Sequence, residues 1–159
     1  MSVALFRIDD RLIHGQVVVG WGQPLGVAFI VLVDDEARAS EWEQEPYRMG
    51  VPPQVAVTFA SVDEAAHQLP AWSADARKGI VLTGDVETMA RLARAAHGAV
   101  PAINVGGVHY REGRKERLRY VYLTDDEAGA LRAMAQAGVD VSAQDVPTGT
   151  RVALAEFAA

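Results

Sequence analysis

Short apolar runs alternate with amphipathic or polar segments along the whole chain. The clearest run is Val27–Val33, which is entirely apolar and rich in β-branched side chains, a pattern typical of a strand buried on both faces of a parallel sheet. Shorter runs predict further strands at Val3–Ile8, 55–59, 79–82, Ala102–Val105 and 120–123, and 139–146 alternates like an edge strand.

The segments between these strands predict helices. Residues 15–23 form the first, beginning near His14 and closed by Gly22 and Pro24. Residues 40–49 form the second, with Trp42 as its apolar anchor and Pro46 as a kink or a break.

Two capping boxes mark the starts of later helices, since in each a hydroxyl residue is followed three positions on by glutamate. The first begins at Ser61 and its helix is expected to stop before Pro70; the second begins at Thr124 and its helix to end near Gly138. Between them, 86–96 has apolar residues at helical spacing. The residues after Pro147 are expected to form a short tail.

Regular alternation of strands and helices predicts one α/β domain over residues 1–159. We expect an α/β/α three-layer sandwich with a mostly parallel sheet of six or seven strands. Ligands of such sheets bind at the carboxyl ends of the strands. The polar residues expected at that edge are Asp9, Asp10, Arg11, His14, Asp34, Asp35, Thr83, Asp85, Gly106 and Gly107.

Charge and composition narrow the function classes. The net charge of -6 disfavours a nucleic-acid or membrane-surface binder, because both partners are anionic. The absence of cysteine excludes disulfides, thiolate zinc sites and thiol nucleophiles. No signal peptide or apolar span is recognisable, so a cytoplasmic protein is expected.

The first loop carries the candidate chemistry. His14 stands where a helix begins, and it is either a structural histidine satisfied by Asp10 or a nucleophile. A neutral imidazole accepts a phosphoryl group without a separate base. In that reading Asp10 orients the ring, Arg11 clamps the phosphate, and the amides of Gly15 and Gln16 cradle it.

The sequence supports other functions of the candidate residues less well than phosphoryl transfer. Metal binding by Asp9, Asp10 and His14 is disfavoured by the neighbouring Arg11, and 34–36 is either a magnesium site or a solvated turn. The usual nucleotide-binding glycine motifs are absent from the sequence. Gly106-Gly107 is a close-approach site or an ordinary turn, and the basic stretch 111–119 is a solvated loop or a docking surface for an acidic partner.

Two motifs resemble one family. The run RIDDRLIHGQV (7–17) is similar to the active-site loop of the IIB components of the mannose/fructose/sorbose family of the bacterial sugar phosphotransferase system. The run INVGGVHYREG (103–113) resembles that family's Asn-x-Gly-Gly-Met segment, with Val108 in place of methionine. The order of elements and Trp21 also fit, whereas Thr83-Gly84-Asp85 departs from the family pattern.

The resemblance implies a function. His14 would take a phosphoryl group from a histidine of the IIA component and pass it to a sugar carried by the membrane IIC and IID components, with no metal or organic cofactor. The protein would be a cytoplasmic phosphotransferase, peripherally associated with the membrane transporter, and a homodimer is compatible with the resemblance. The alternative function is a regulatory phosphocarrier that is not coupled to sugar transport.

Overall fold

A computed structural model describes residues 2–159. Its strands are β1 (Val3–Ile8), β2 (Val27–Val33), β3 (Ala56–Ala60), β4 (Lys78–Thr83), β5 (Ala102–Val105), β6 (Lys115–Leu118), β7 (Val121–Leu123), β8 (Asp140–Ala143) and β9 (Val152–Ala153). Its helices are a π-helical segment (Gln16–Gly22), α1 (Gln23–Leu25), α2 (Asp35–Ala39), α3 (Glu41–Met49), α4 (Val62–Ala74), α5 (Val86–Ala95), α6 (Asp125–Gln136) and α7 (Leu154–Phe157).

Seven strands form one sheet in the order β3-β2-β4-β1-β5-β8-β9. All neighbours are parallel except β9, which is antiparallel to β8. The predicted α/β class and mostly parallel sheet are therefore confirmed. Strand β1 lies at the centre, between β4 and β5, so its carboxyl end opens where the loops of both neighbours meet.

The two faces of the sheet bury separate cores. Helices α4 to α7 pack on one face through side chains such as Leu69, Leu92 and Leu131. The π-helical segment and α2 pack on the other face through Val17 and Ala37. Because the chain leaves β1 toward one face and β4 toward the other, the end of β1 is a switch point of the kind at which α/β proteins place ligands.

The helix after β1 is confirmed, but its geometry is unusual. It is π-helical from Gln16 to Gly22 and then continues as α1. It runs two residues beyond the predicted end at Gln23 and stops at Gly26, whose φ of 68° only glycine adopts readily. π-Helical turns are rare and occur frequently at functional sites.

Trp42 is not the anchor of its helix, contrary to the prediction. Its side chain is 86% exposed, whereas Gln44 is buried and donates to the carbonyl of Ala37 at 2.9 Å. The short helix α2 was not predicted. Its end at Ser40 sets the rotation of α3, so that Gln44 and Tyr47 face the protein and Trp42 faces away.

Pro70 does not stop α4, which continues to Ala74. The capping box at its start is confirmed: the Ser61 hydroxyl accepts from the Glu64 amide at 3.1 Å. Leu69 is fully buried and Trp72 packs against the same core, so burial on both sides of Pro70 holds the last turn in place. Tertiary packing here outweighs the missing hydrogen bond.

The carboxyl-terminal third contains three further departures. The basic stretch contributes β6, which was not predicted, and β6 pairs with β7 in a separate hairpin outside the main sheet. Residues after Pro147 form β9 and α7 rather than a plain tail. Because β9 covers β8, the predicted edge strand is the second from the edge.

Within residues 2–159, no helix combines the length and the apolar character needed to cross a lipid bilayer.

Replacing Pro70 by alanine should stabilise the protein by about 1–3 kcal/mol, because alanine restores a backbone donor inside α4 and removes the ring clash. Urea unfolding measures this gain. Pro53→Ala, in an exposed turn, is the matched control and should give no gain, since there the ring only restricts the unfolded chain. A loss of stability in Pro70→Ala would contradict the structure.

Candidate active site

The loop that follows β1 is fixed by backbone hydrogen bonds to both neighbouring strands' loops. The amide of Asp9 donates to the carbonyl of Thr83 at 2.9 Å, and the amide of Asp10 donates to that of Gly107 at 2.8 Å. Residues 9–14 are therefore held at the carboxyl edge of the sheet. The convergence predicted for the loops after β1, β4 and β5 is present.

Two arginines form hydrogen-bonded ion pairs with one buried carboxylate at the start of this loop. Asp9 is completely buried and accepts from Arg7 at 3.1 Å. Arg11 binds both oxygens of Asp9, with its Nε at 3.1 Å from Oδ1 and its Nη2 at 3.0 Å from Oδ2. Arg7 is fully buried, whereas the side chain of Arg11 is one-third exposed. Arg11 is thus the member of the trio that solvent reaches.

Arg7 extends the network to the loop after β8. It donates to the carbonyls of Gln144 and Asp145, both at 3.0 Å, and to the side chain of Asn104. The Trp21 ring stacks 5.1 Å from its guanidinium carbon, and the Trp21 indole also donates to the carbonyl of Asp145. One buried cation therefore ties together β1, β5, the π-helical segment and the segment after β8.

The network shifts the ionisation of its members. Burial alone would raise the pKa of Asp9, but hydrogen bonds from Arg11 and the charge of Arg7 outweigh it and hold that pKa below its usual value. Burial lowers the pKa of Arg7, and the hydrogen bond to Asp9 raises the pKa of Arg11. All three groups are charged near neutral pH, so the trio carries one net positive charge.

His14 is oriented by the backbone of its own loop. Its Nδ1 lies 2.7 Å from the carbonyl oxygen of Leu12. A carbonyl only accepts, so Nδ1 donates this hydrogen bond, and in the neutral ring Nε2 carries the lone pair. Nε2 is buried with no hydrogen-bond partner among residues 2–159, and the nearest carboxylate oxygen, from Asp9, is 3.9 Å away.

The carbonyl that holds His14 is aimed by an uncommon backbone conformation. Leu12 has a φ of 61°, in the left-handed region that side chains other than glycine and asparagine seldom adopt. Its side chain occupies the space beside Gly84, where an added Cβ would lie 2.6 Å from Leu12 Cδ2. The departure at Thr83-Gly84-Asp85 thus has a structural role, because Gly84 admits Leu12.

Asp10 does not orient His14 in the structure. Its carboxylate accepts from the amide of His109 at 2.7 Å and lies 2.6 Å from Nδ1 of the same residue. Asp10 therefore joins the β1 loop to the loop after β5. The role of orienting the ring was predicted for Asp10, whereas the carboxylate nearest to the His14 ring is that of Asp9.

The remaining predicted site residues lie close to this network. Gln16 accepts from Arg11 at 3.0 Å through its side-chain oxygen, and it begins the π-helical segment. Gly15 precedes it, is exposed, and has open space where a Cβ would stand. Arg11 and Gln16 are therefore joined directly next to His14, at the start of the helical segment.

The other candidate residues have structural partners. Asp34 caps α2, and Asp35 accepts from the amide of Val62 and from Arg91. Across the described chain, no three acidic or histidine side chains are grouped to hold a metal ion. In the basic stretch, Arg114 pairs with Glu127, while Lys115 and Arg117 pair with Asp125, so internal partners use much of its charge.

Several residues that the network needs were not predicted from the sequence, namely Arg7, Asn104, His109 and the carbonyls of 144 and 145. A charged residue inside an apolar strand run was the available signal for Arg7, because arginine is rarely buried without partners. The 144–145 carbonyls carry no sequence signal, since any residue supplies them.

The fold and this edge define a class: an α/β sandwich in which a histidine with one unpartnered ring nitrogen and a partly exposed arginine share the loop after the central strand, an arrangement suited to an anionic group. Residues 3–159 match the family model described as "PTS system sorbose subfamily IIB component". The chain belongs to this family, whose members are phosphotransferase subunits of sugar transport systems.

Individual relatives of this chain are components of the same transport systems. The chain is 30% identical over 149 residues to the N-acetylgalactosamine-specific phosphotransferase enzyme IIB component 1 of Escherichia coli, covering 92% of each chain. It is similar to the crystal structure of the IIB domain of the sorbose permease from Klebsiella pneumoniae, with a TM-score of 0.87, 26% identity and coverage of 98% and 96% of the two chains. It also matches the mannose-specific EIIAB component of Escherichia coli (27% identity over 163 residues), covering 99% of this chain and 48% of that protein.

Gly106→Ala should destabilise the protein by about 3 kcal/mol, the upper end of the cost of overpacking. The new Cβ would lie 2.2 Å from Nη2 of the buried Arg7 and displace it from its carbonyl partners. Urea unfolding measures the loss. Gly20→Ala is the control, because its Cβ meets nothing closer than 4.0 Å, and it should change stability little.

Acid should remove the contribution of Asp9 to stability. Folding lowers the pKa of Asp9, so this contribution is complete above about pH 4, the pKa of aspartate in the unfolded chain. It is lost as the pH falls through the lower pKa of Asp9 in the folded protein. Asp9→Asn should cost about 3–5 kcal/mol at pH 7, because two arginines lose their carboxylate, and the gap to wild type should narrow below pH 4. Denaturant unfolding between pH 7 and pH 2 measures both; a constant gap would contradict the assignment. Asp63→Asn, at an exposed carboxylate, should have little effect.

Proposed function

We propose that His14 is the phosphoryl carrier of a cytoplasmic IIB subunit. It accepts the group from a phosphohistidine of a IIA component and gives it to a sugar during uptake through membrane IIC and IID components. The observation that carries the proposal is the His14 ring itself. Among residues 2–159 its only hydrogen bond is to a backbone carbonyl, so no side chain occupies either ring nitrogen, and the partly exposed Arg11 shares its loop.

Transfer between two imidazoles needs no external base. The lone pair of one His14 nitrogen forms a bond to phosphorus while the nitrogen–phosphorus bond of the donor breaks, and the donor ring departs with that electron pair. Both rings are similar leaving groups, so alignment and charge stabilisation supply the catalysis. In the second transfer a bond forms between a sugar oxygen and phosphorus while the nitrogen–phosphorus bond of His14 breaks. The His14 ring departs with that electron pair, and the hydroxyl proton ends on the released imidazole.

The ring has to turn before it reacts. Nδ1 is occupied by the carbonyl of Leu12, and Nε2 is buried 3.9 Å from the carboxylate of Asp9, so neither nitrogen faces a phosphoryl donor. Rotation about the Cα–Cβ bond of His14 releases the carbonyl and presents a nitrogen at the surface.

Arg11 and the start of the π-helical segment receive the phosphoryl charge. Arg11 already faces solvent in part and binds Gln16 as well as Asp9. The amides of Gly15 and Gln16 stand at a helical start, where donors are unpaired and the dipole favours an anion. Asp10 acts on this site through the loop that it joins to His109, rather than on the ring of His14.

Relatives support coupling to sugar transport rather than regulation alone. Their names specify N-acetylgalactosamine, sorbose and mannose systems, and one of them is named as a joined EIIAB component. That pattern supports a IIA component as the donor. The comparisons give no support to a purely regulatory phosphocarrier.

Incubation with phosphoenolpyruvate, the general phosphotransferase proteins and a IIA component should label the wild type with an acid-labile, base-stable phosphoryl group. His14→Ala should lose the label completely, and phosphopeptide mapping should place it on the peptide that contains His14. His67→Ala is the matched control, because its exposed histidine lies on α4, which covers the opposite face of the sheet. An unlabelled wild type, or a label that persists in His14→Ala, would overturn the proposal.

A further inference from the structure

Helix α3 presents an apolar stripe to solvent. Trp42 is 86% exposed and Met49 is 78% exposed, and Pro46 is exposed between them. The three positions are separated by one helical turn each, so they align on one side of the helix. Large side chains exposed in a contiguous row mark interaction surfaces more often than isolated ones do.

Unpaired acidic residues flank this stripe. Glu36, Glu41, Glu43 and Glu45 lie on α2 and α3 and are all exposed. None of them has a cationic partner within 4 Å among residues 2–159, so all four charges remain available to a partner. We call Trp42, Pro46, Met49 and these four glutamates the α3 surface.

The α3 surface is held rigidly from below. Gln44 donates to the carbonyls of Ala37 and Arg38, and Arg48 donates to the carbonyl of Val57 while lying over the ring of Phe59. The single basic residue of α3 is therefore turned toward the protein. A stripe that is fixed before binding loses little conformational entropy when a partner covers it.

The α3 surface begins at the same edge of the sheet as His14. Strand β2 ends at that edge and α2 is one short turn, so α3 starts there; it then runs back until Arg48 reaches Val57, near the start of β3. β2 is separated from β1 by β4 alone, a distance of about 10 Å. The π-helical segment and α3 cover the same face of the sheet. A partner seated on Trp42 therefore reaches the rim of the His14 loop.

We propose that the α3 surface is the docking site for basic cytoplasmic loops of the membrane IIC and IID components. The inference rests on the proposed function, which requires such a partner to bring a sugar to His14. Cytoplasmic loops of membrane proteins carry an excess of lysine and arginine. Four unpaired glutamates around an apolar stripe complement such loops in charge and offer Trp42 as an anchor.

The same charges disfavour other occupants. Two copies of α3 face to face would place glutamates against glutamates, with Arg48 of each copy turned inward. A lipid surface is anionic and repels the same residues. The membrane proteins are thus the partner that the charges favour.

The experiment measures binding of the unphosphorylated protein to inverted membrane vesicles that contain the IIC and IID components of the source organism, against vesicles that lack them. Trp42→Ala/Met49→Ala should weaken binding about tenfold or more. Glu41→Gln/Glu43→Gln/Glu45→Gln should also weaken it and flatten its dependence on salt. The matched control, Asp63→Asn/Glu87→Gln/Asp126→Asn, makes the same charge change on the other face, and Tyr110→Ala truncates another exposed aromatic; both should bind as the wild type does.

Labelling of His14 by the IIA donor in solution separates the outcomes. The α3 variants should be labelled at wild-type rate, which also shows that they are folded. Wild-type affinity for the vesicles in Trp42→Ala/Met49→Ala, or equal binding to vesicles without IIC and IID, overturns the docking site while the proposed function stands. Slower labelling assigns the surface to the donor instead, and a changed oligomeric state assigns it to a second copy; each overturns the proposal. A wild type that binds the vesicles but takes no label overturns the proposed function alone.

Discussion

The pairing of one buried carboxylate with two arginines is the constraint on which the rest of the site depends. Asp9 is completely shielded from water, and an unpaired charge in that position would cost several kcal/mol. Arg7 neutralises it from within the strand and Arg11 from the loop. Arg7 in turn needs acceptors of its own, and the carbonyls of Gln144 and Asp145 supply them from the segment after β8, which lies two strands away from β1. The positions of three loops are therefore consequences of satisfying two buried charges.

Backbone geometry, more than side-chain identity, shapes the pocket for these charges. Gly106 leaves the volume that the Arg7 guanidinium fills, Gly107 approaches Arg11, and Gly84 admits the side chain of Leu12. Leu12 then adopts a left-handed conformation that sends its carbonyl to the His14 ring. Gly84 follows β4, and Gly106 and Gly107 follow β5, the two strands that flank β1. The absence of side chains at these positions lets the loops at the carboxyl ends of the strands pack closely against one another.

Local patterns in the sequence were sufficient to predict most strands and helices, but not the contacts between residues that are far apart in the sequence. Val27–Val33 was predicted to the residue, because a strand buried on both faces has an unbroken apolar run. The hydroxyl and glutamate pairs at Ser61 and Thr124 predicted helix starts, because a capping box is a contact within four residues. Trp42 and Pro70 were misjudged because the first depends on the rotation of a helix set by α2 and the second on burial around it. The partner of Asp10 lies 99 residues away, and no local pattern indicates it.

The second arginine bears on how the site could accept the charge proposed for His14. A phosphoryl group on His14 would compete with Asp9 for Arg11, and in a site with a single arginine that competition would leave a buried carboxylate without a cation. Here the fully buried Arg7 also binds Asp9, so Asp9 would keep one cationic partner if Arg11 turned toward the phosphoryl group. Because the strand encloses Arg7 and leaves Arg11 partly exposed, Arg11 is the arginine that the proposed transfer would use.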